Sequence, residues 1–127
     1  MRKVDRFEEL NLTEKQQGFL RFFLANISSV TNLDKVILFG SCAKERTHKN
    51  SDIDLFVITK REPTTHDEVF IMAQCPPDYE SIYYLQSDII VKSSAAYEKH
   101  KNEMGMVQKY VEMDGVDVTG LVQECAG

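Results

Sequence analysis

Residues 38–58 read LFGSCAKERTHKNSDIDLFVI. The apolar run Val36-Ile37-Leu38-Phe39 stops at Gly40-Ser41. A basic, polar stretch follows from Lys44 to Lys49, and the chain returns to apolar sequence through Asp52-Ile53-Asp54. A short unbroken apolar run reads as a strand buried on both faces. Ile53 to Thr59, rich in β-branched and aromatic residues, reads as a second strand. Side chains alternate along a strand, so Asp52 and Asp54 share a face. Two carboxylates that close oppose each other's ionisation. A divalent cation removes that penalty, and hard Mg²⁺ prefers carboxylate oxygens. Asp52, after Asn50-Ser51, also fits a loop cap. Asp54 lies among Ile53, Leu55, Phe56, Val57 and Ile58, where an unpaired buried charge is strongly unfavourable.

The neighbouring residues extend this reading. Gly40 ends the first strand, and Ser41 to about Arg46 can form a short helix. Such a turn points backbone N–H groups at an anion, and glycine lets the backbone approach closely. The Ser41 hydroxyl adds a donor and also fits a helix N-cap. Ser87 to Lys92, with Ile89-Ile90-Val91, reads as a third strand opened by Asp88. If it neighbours the Asp52/Asp54 strand, three carboxylates converge. A phosphate cradle beside a metal-binding pair describes a nucleotide site.

The remaining elements frame that unit. Residues 1–12 read as a mixed arm. Thr13 and Gln16 have capping-box spacing. Phe19, Leu20, Phe22, Phe23, Leu24 and Ile27 follow at helical spacing. Asn32-Leu33-Asp34 reads as a turn. Thr65 is placed to cap a helix over 67–75, which Pro76-Pro77 stops. Residues 78–86 fit a helix turn or a strand. Ser94 is placed to cap a helix running towards Met113 with a break near Gly105, and Gly115 is placed as its C-terminal glycine. Val116 to Val118 reads as a fourth, edge strand. The order predicts an α/β (α+β) domain with helices against a small mixed sheet. The expectation is one domain over 1–127, with a core of about 13–118 and a loosely held tail over 119–127.

Composition narrows the function classes. The 127 residues are 43% hydrophobic and 28% charged, as in a soluble globular protein. No apolar run approaches the roughly 20 residues that span a bilayer, and no apolar signal core follows the charged N-terminus. The expected location is the cytoplasm, without a membrane partner. Cys42, Cys75 and Cys125 are odd in number and far apart, which argues against a disulfide framework or a zinc site. His48, His66 and His100 sit in polar stretches and are expected at the surface. The net charge of −5 disfavours gripping a long nucleic acid, despite the local basic patch of Lys44, Arg46, His48 and Lys49. A small anionic ligand held by metal suits it better.

Gly40-Ser41, ten intervening residues and Asp52-Ile53-Asp54-Leu55 resemble the GS-x10-D-x-D signature of the DNA polymerase beta-like nucleotidyltransferase superfamily. The length and Asp88-Ile89-Ile90-Val91 resemble its minimal branch, and residues 107–116 resemble the helix-and-glycine ending of those domains. The resemblance spans about residues 20–118. It implies Asp52, Asp54 and Asp88 as ligands of two Mg²⁺ ions, with Asp88 also placed to serve as general base. It implies Gly40 and Ser41 at the triphosphate of a nucleoside triphosphate, with ATP the expected donor. Many relatives carry Arg then Gly a few residues after the GS pair. This chain has Lys44 and Glu45, and Lys44 can meet a phosphate as a point charge without the bidentate fork of Arg.

The implied reaction moves a nucleoside monophosphate, AMP from ATP, to an acceptor hydroxyl. The length leaves no room for the additional helical domain of antibiotic-modifying relatives, so the site is expected to be open. Relatives in the minimal branch are antitoxins that add AMP to a tyrosine of a small helical toxin of the HEPN family. That is one implied partner, and a homo-oligomer is the other. Two further readings stand beside it: a binding module that neutralises a helical partner with little or no catalysis, and an aminoglycoside-type nucleotidyltransferase whose site is completed by a dimer.

Overall fold

Strand β3 (Ile53–Thr59) shows how the sheet is built. Ile53, Leu55 and Val57 enter one apolar core, while Phe56 and Ile58 enter another on the opposite side. The alternation anticipated from sequence thus makes this a strand covered on both faces. The computed structural model describes residues 1–40, 43, 52–76 and 82–126. With β1 (Arg2–Lys3), β2 (Leu33–Phe39), β4 (Ser87–Ser93) and β5 (Val116–Asp117), β3 forms a five-stranded sheet in the order β1-β5-β2-β3-β4. The β1–β5 and β3–β4 pairs are parallel, and β2 is antiparallel to both β3 and β5. This is the expected mixed sheet flanked by helices.

The larger core lies on the face reached by Ile53, Leu55 and Val57. Helix α1 (Glu14–Ile27) packs Phe19, Leu20, Phe23, Leu24 and Ile27 against Val36, Leu38, Ile89 and Val91. Its N-terminus carries the full capping box, with Thr13 Oγ1 accepting from Gln16 N–H and Gln16 Oε1 accepting from Thr13 N–H. Each large apolar side chain buried here is worth roughly 1.5–3 kcal/mol. Helix α2 (Thr65–Met72) makes the crossover between the parallel strands β3 and β4 and buries Ile71. The smaller core on the opposite face joins Ile37, Phe56 and Ile58 to Tyr97 of α3 (Ser94–His100) and Val111 of α4 (Val107–Asp114).

Several expectations are corrected. The capping residues are Thr64 and Ser93, each one position earlier than expected, because their side chains accept from the N–H groups of Asp67 and Ala96. Leu33 already belongs to β2, through a bulge between Leu33 and Lys35, so residues 32–34 are not simply a turn. Strand β5 is not at the edge, since Arg2–Lys3 pairs with its outer side. The tail is not loosely held: Gly120–Cys125 forms helix α5, which buries Leu121 and Val122 against the α1 layer. Gly115 does cap α4, but with φ −70° rather than a left-handed turn. It is needed for space, since a Cβ there would press on Val111 O and stand 2.6 Å from Ile37 Cγ2. The break near Gly105, at φ +82°, separates α3 from α4 as expected.

The expected short helix after Gly40, and residues 78–81 of the segment from 78 to 86, lie outside the described residues, while 82–86 form a turn and irregular chain with no strand or helix. Cys75 and Cys125 are free thiols, and Cys42 lies outside the described residues. His66 is exposed, whereas His100 is half-buried beside Glu103, and His48 is outside the described residues. Among the described residues, no helix is long and apolar enough to cross a membrane.

Candidate active site

The three aspartates lie where β3 and β4 begin and β2 ends. Asp54 is the second residue of β3, Asp52 immediately precedes that strand, and Asp88 is the second residue of β4. The parallel register pairs Asp54 directly with Asp88. On the other side Asp54 is paired with Phe39, the last residue of β2, which leads into Gly40. The structure therefore brings Gly40, Asp52, Asp54 and Asp88 to one end of the sheet. Ser41 and Lys44, the other two residues expected at a triphosphate, lie outside the described residues.

Gly40 has a role beyond ending a strand. Its φ of +75° lies in the left-handed region that glycine tolerates. A Cβ built there would run into Oδ2 of Asp54 and stand 3.2 Å from its Cγ. The missing side chain thus makes the space that the Asp54 carboxylate occupies.

Electrostatics single out the same residue. Burial pushes the Asp54 carboxyl above the ordinary carboxylate range, and the charges of Asp88 and then Asp52 push it the same way. Asp52 and Asp88 are exposed, whereas Asp54 is half-buried. A partly desolvated carboxylate between two others favours a cation close by. The donor chemistry, three hard carboxylate oxygen groups on one strand pair, fits Mg²⁺. The side-chain arrangement is looser than the chemistry: among the described residues, no three His, Cys, Asp or Glu groups stand where they could hold one ion together. The exposed Asp52 and Asp88 side chains have to turn towards Asp54 for all three to share it.

Beneath the site runs a support that the sequence reading did not single out. Phe39 meets Phe56 edge-on with centroids 6.4 Å apart, and Phe56 meets Tyr97 at 5.6 Å. The Tyr97 hydroxyl donates to Glu112 Oε2 at 2.5 Å, tying α3 to α4. Burial, and then this carboxylate, push the Tyr97 hydroxyl well above its ordinary range, so it stays protonated. Helical spacing identifies Tyr97 as inward-facing, but its link to Glu112 joins two helices and leaves no local pattern.

A mixed sheet that gathers three aspartates beside a strand-ending glycine defines a nucleotidyltransferase-like α/β domain. The chain belongs to the polymerase beta nucleotidyltransferase family, whose model matches residues 24–103 and so spans Gly40, Asp52, Asp54 and Asp88. Among solved structures, the chain is similar to a protein from Sulfolobus solfataricus described as a candidate nucleotidyltransferase. That likeness has 24% identity and a TM-score of 0.47, and covers 68% of this chain and 77% of the other. No curated protein matches the chain.

Proposed function

We propose that the protein transfers AMP from ATP to an acceptor hydroxyl, with Mg²⁺ held by Asp52, Asp54 and Asp88. The observation that carries this reading is Asp54: a half-buried carboxylate with its proton affinity raised, flanked by Asp88 in register and by Asp52, in space left by Gly40. When bound, two Mg²⁺ ions would supply a lowered acceptor pKa and neutralisation of the leaving pyrophosphate. Gly40 and Ser41, with Lys44, bind the triphosphate in this reading. Asp88, the exposed carboxylate, takes up the acceptor's proton. The acceptor oxygen forms a bond to the α-phosphorus, and the bond from that phosphorus to the β-phosphate oxygen breaks, releasing pyrophosphate. The acceptor we propose is a tyrosine hydroxyl on a small helical partner of the HEPN type, as the family resemblance implies.

The test is label transfer from ATP carrying label on its α-phosphate, with Mg²⁺ and candidate helical partners. The expected result is a labelled acceptor protein and released pyrophosphate, with no labelling by Asp54→Asn. Transfer from the γ-phosphate instead, or labelling that survives Asp54→Asn, contradicts the reading. A second reading, a binding module that neutralises its partner without catalysis, is favoured by one observation: the three carboxylates do not stand in an ion-holding arrangement. It predicts tight partner binding with no nucleotide consumed.

A further inference from the structure

Strand β4 is the last strand of the sheet, and among the described residues nothing pairs with its outer side. An open strand edge presents unpaired N–H and C=O groups that can receive another strand. The direction of those groups is fixed. Ile53 N–H donates to Gln86 C=O at 3.1 Å, and β3 pairs Ile53 with Ser87. In a parallel ladder, alternate residues bond to the same neighbour. Asp88, Ile90 and Lys92 therefore turn their backbone groups towards β3, while Ser87, Ile89, Val91 and Ser93 turn theirs outward.

We propose that β4 pairs antiparallel with β4 of a second copy, about a two-fold axis at Ile90, to form a homodimer with one continuous sheet. The sequence of β4, SDIIVKS, is self-complementary in this register. Ser87 meets Ser93, Asp88 meets Lys92, Ile89 meets Val91, and Ile90 meets its own copy. The outward backbone groups of Ile89 and Val91 then exchange both hydrogen bonds across the axis. Asp88 and Lys92 fall at non-hydrogen-bonded positions, where facing side chains come closest. Both are exposed and both lie on the same face of the sheet. The registers one step away, centred on Ile89 or Val91, place neither charge opposite its complement, and those centred on Asp88 or Lys92 set like charges opposite each other. Cross-strand pairs of opposite charge stabilise a sheet, whereas like charges oppose it.

A single pair of edge strands is a marginal contact, and α2 adds apolar area to it. This helix lies against β4 and leaves Val69 63% and Met72 53% exposed, with Phe70 beside them. Pairing about Ile90 brings the α2 helices of the two copies to the same edge. It also carries Lys92 of the second copy to Asp88, so each copy adds a cation at the carboxylate end of the other's sheet. The dimer does not depend on the nucleotidyl-transfer reading; only the meaning of that added lysine does.

The experiment is sedimentation equilibrium of the full chain at increasing concentration. The wild type is expected to approach twice the 14.6 kDa of one chain. Lys92→Asp or Asp88→Lys, each at an exposed position, sets like charges opposite at two symmetric places and should weaken association about tenfold or more. The double exchange Asp88→Lys with Lys92→Asp restores opposite charges in the same register and should recover the dimer. Chemical unfolding of each variant checks that its fold is kept. A wild type that stays monomeric at high micromolar concentration overturns the proposal. So does a dimer indifferent to the single exchanges, or one that the double exchange fails to rescue.

Discussion

The two faces of the sheet are made from the same strands and do different work. One face receives Ile53, Leu55 and Val57 beneath α1, with Phe19, Leu20 and Phe23 fully buried. The other receives the smaller cluster around Phe56 and Tyr97, and gives way at one end to Asp54, Asp88 and Asp52. The first face carries the larger apolar cluster and supplies most of the burial that holds the domain together. The second trades part of its apolar area for charge that opposes folding when no cation is present. A one-residue step along β3 therefore moves from a position selected for packing to one selected for chemistry.

The contrast can be broken most sharply at neighbouring residues. Leu55→Ala on the packed face removes a fully buried side chain and should cost about 2–5 kcal/mol, read from urea unfolding. Gly40→Ala should come next, at about 1–3 kcal/mol, because it meets both an unfavourable φ and the Asp54 carboxylate. Unlike Leu55→Ala, it should also displace Asp54 and weaken nucleotide binding beyond its effect on stability. Tyr97→Phe removes the hydroxyl that joins α3 to α4 and should cost about 1 kcal/mol in the same assay.

Asp54→Asn should have the smallest effect, and the opposite sign. Burial raises the Asp54 carboxyl in the folded protein, and Asp88 and Asp52 add to the shift. The folded chain therefore holds this proton more tightly than the unfolded chain. The resulting stabilisation is complete below the ordinary aspartate range and is lost as pH rises through the raised value. Without metal, the wild type should lose stability relative to Asp54→Asn across that window, and the variant should melt higher at neutral pH. Thermal melts of both proteins at a series of pH values check this.

Much of this arrangement is written locally in the chain. The Thr13–Gln16 cap and the apolar stripe of α1 each follow from spacing within one element. The pairing of Asp54 with Asp88 does not, since it joins residues on separate strands through the crossover of α2. The interior position of β5 was hidden for a similar reason: the strand that covers it, Arg2–Lys3, is two charged residues without a pattern. Gly115 reads naturally as a left-handed helix stop, yet it is fixed by the approach of Val111 O and Ile37, which only the packed structure reveals. Six residues are too few to announce α5 by periodicity, and burial of Leu121 and Val122 is what holds it.

The central claim is that the carboxylate end of the second face is a metal–nucleotide site organised around Asp54. The most direct measurement is thermal unfolding of wild type and Asp54→Asn, each with and without Mg²⁺ and ATP together. The wild type should gain stability on addition, by about 2.7 kcal/mol when ligand exceeds its dissociation constant a hundredfold. Asp54→Asn should start from a higher melting temperature at neutral pH and gain almost nothing. An equal gain in both proteins, or none in the wild type, would contradict the account.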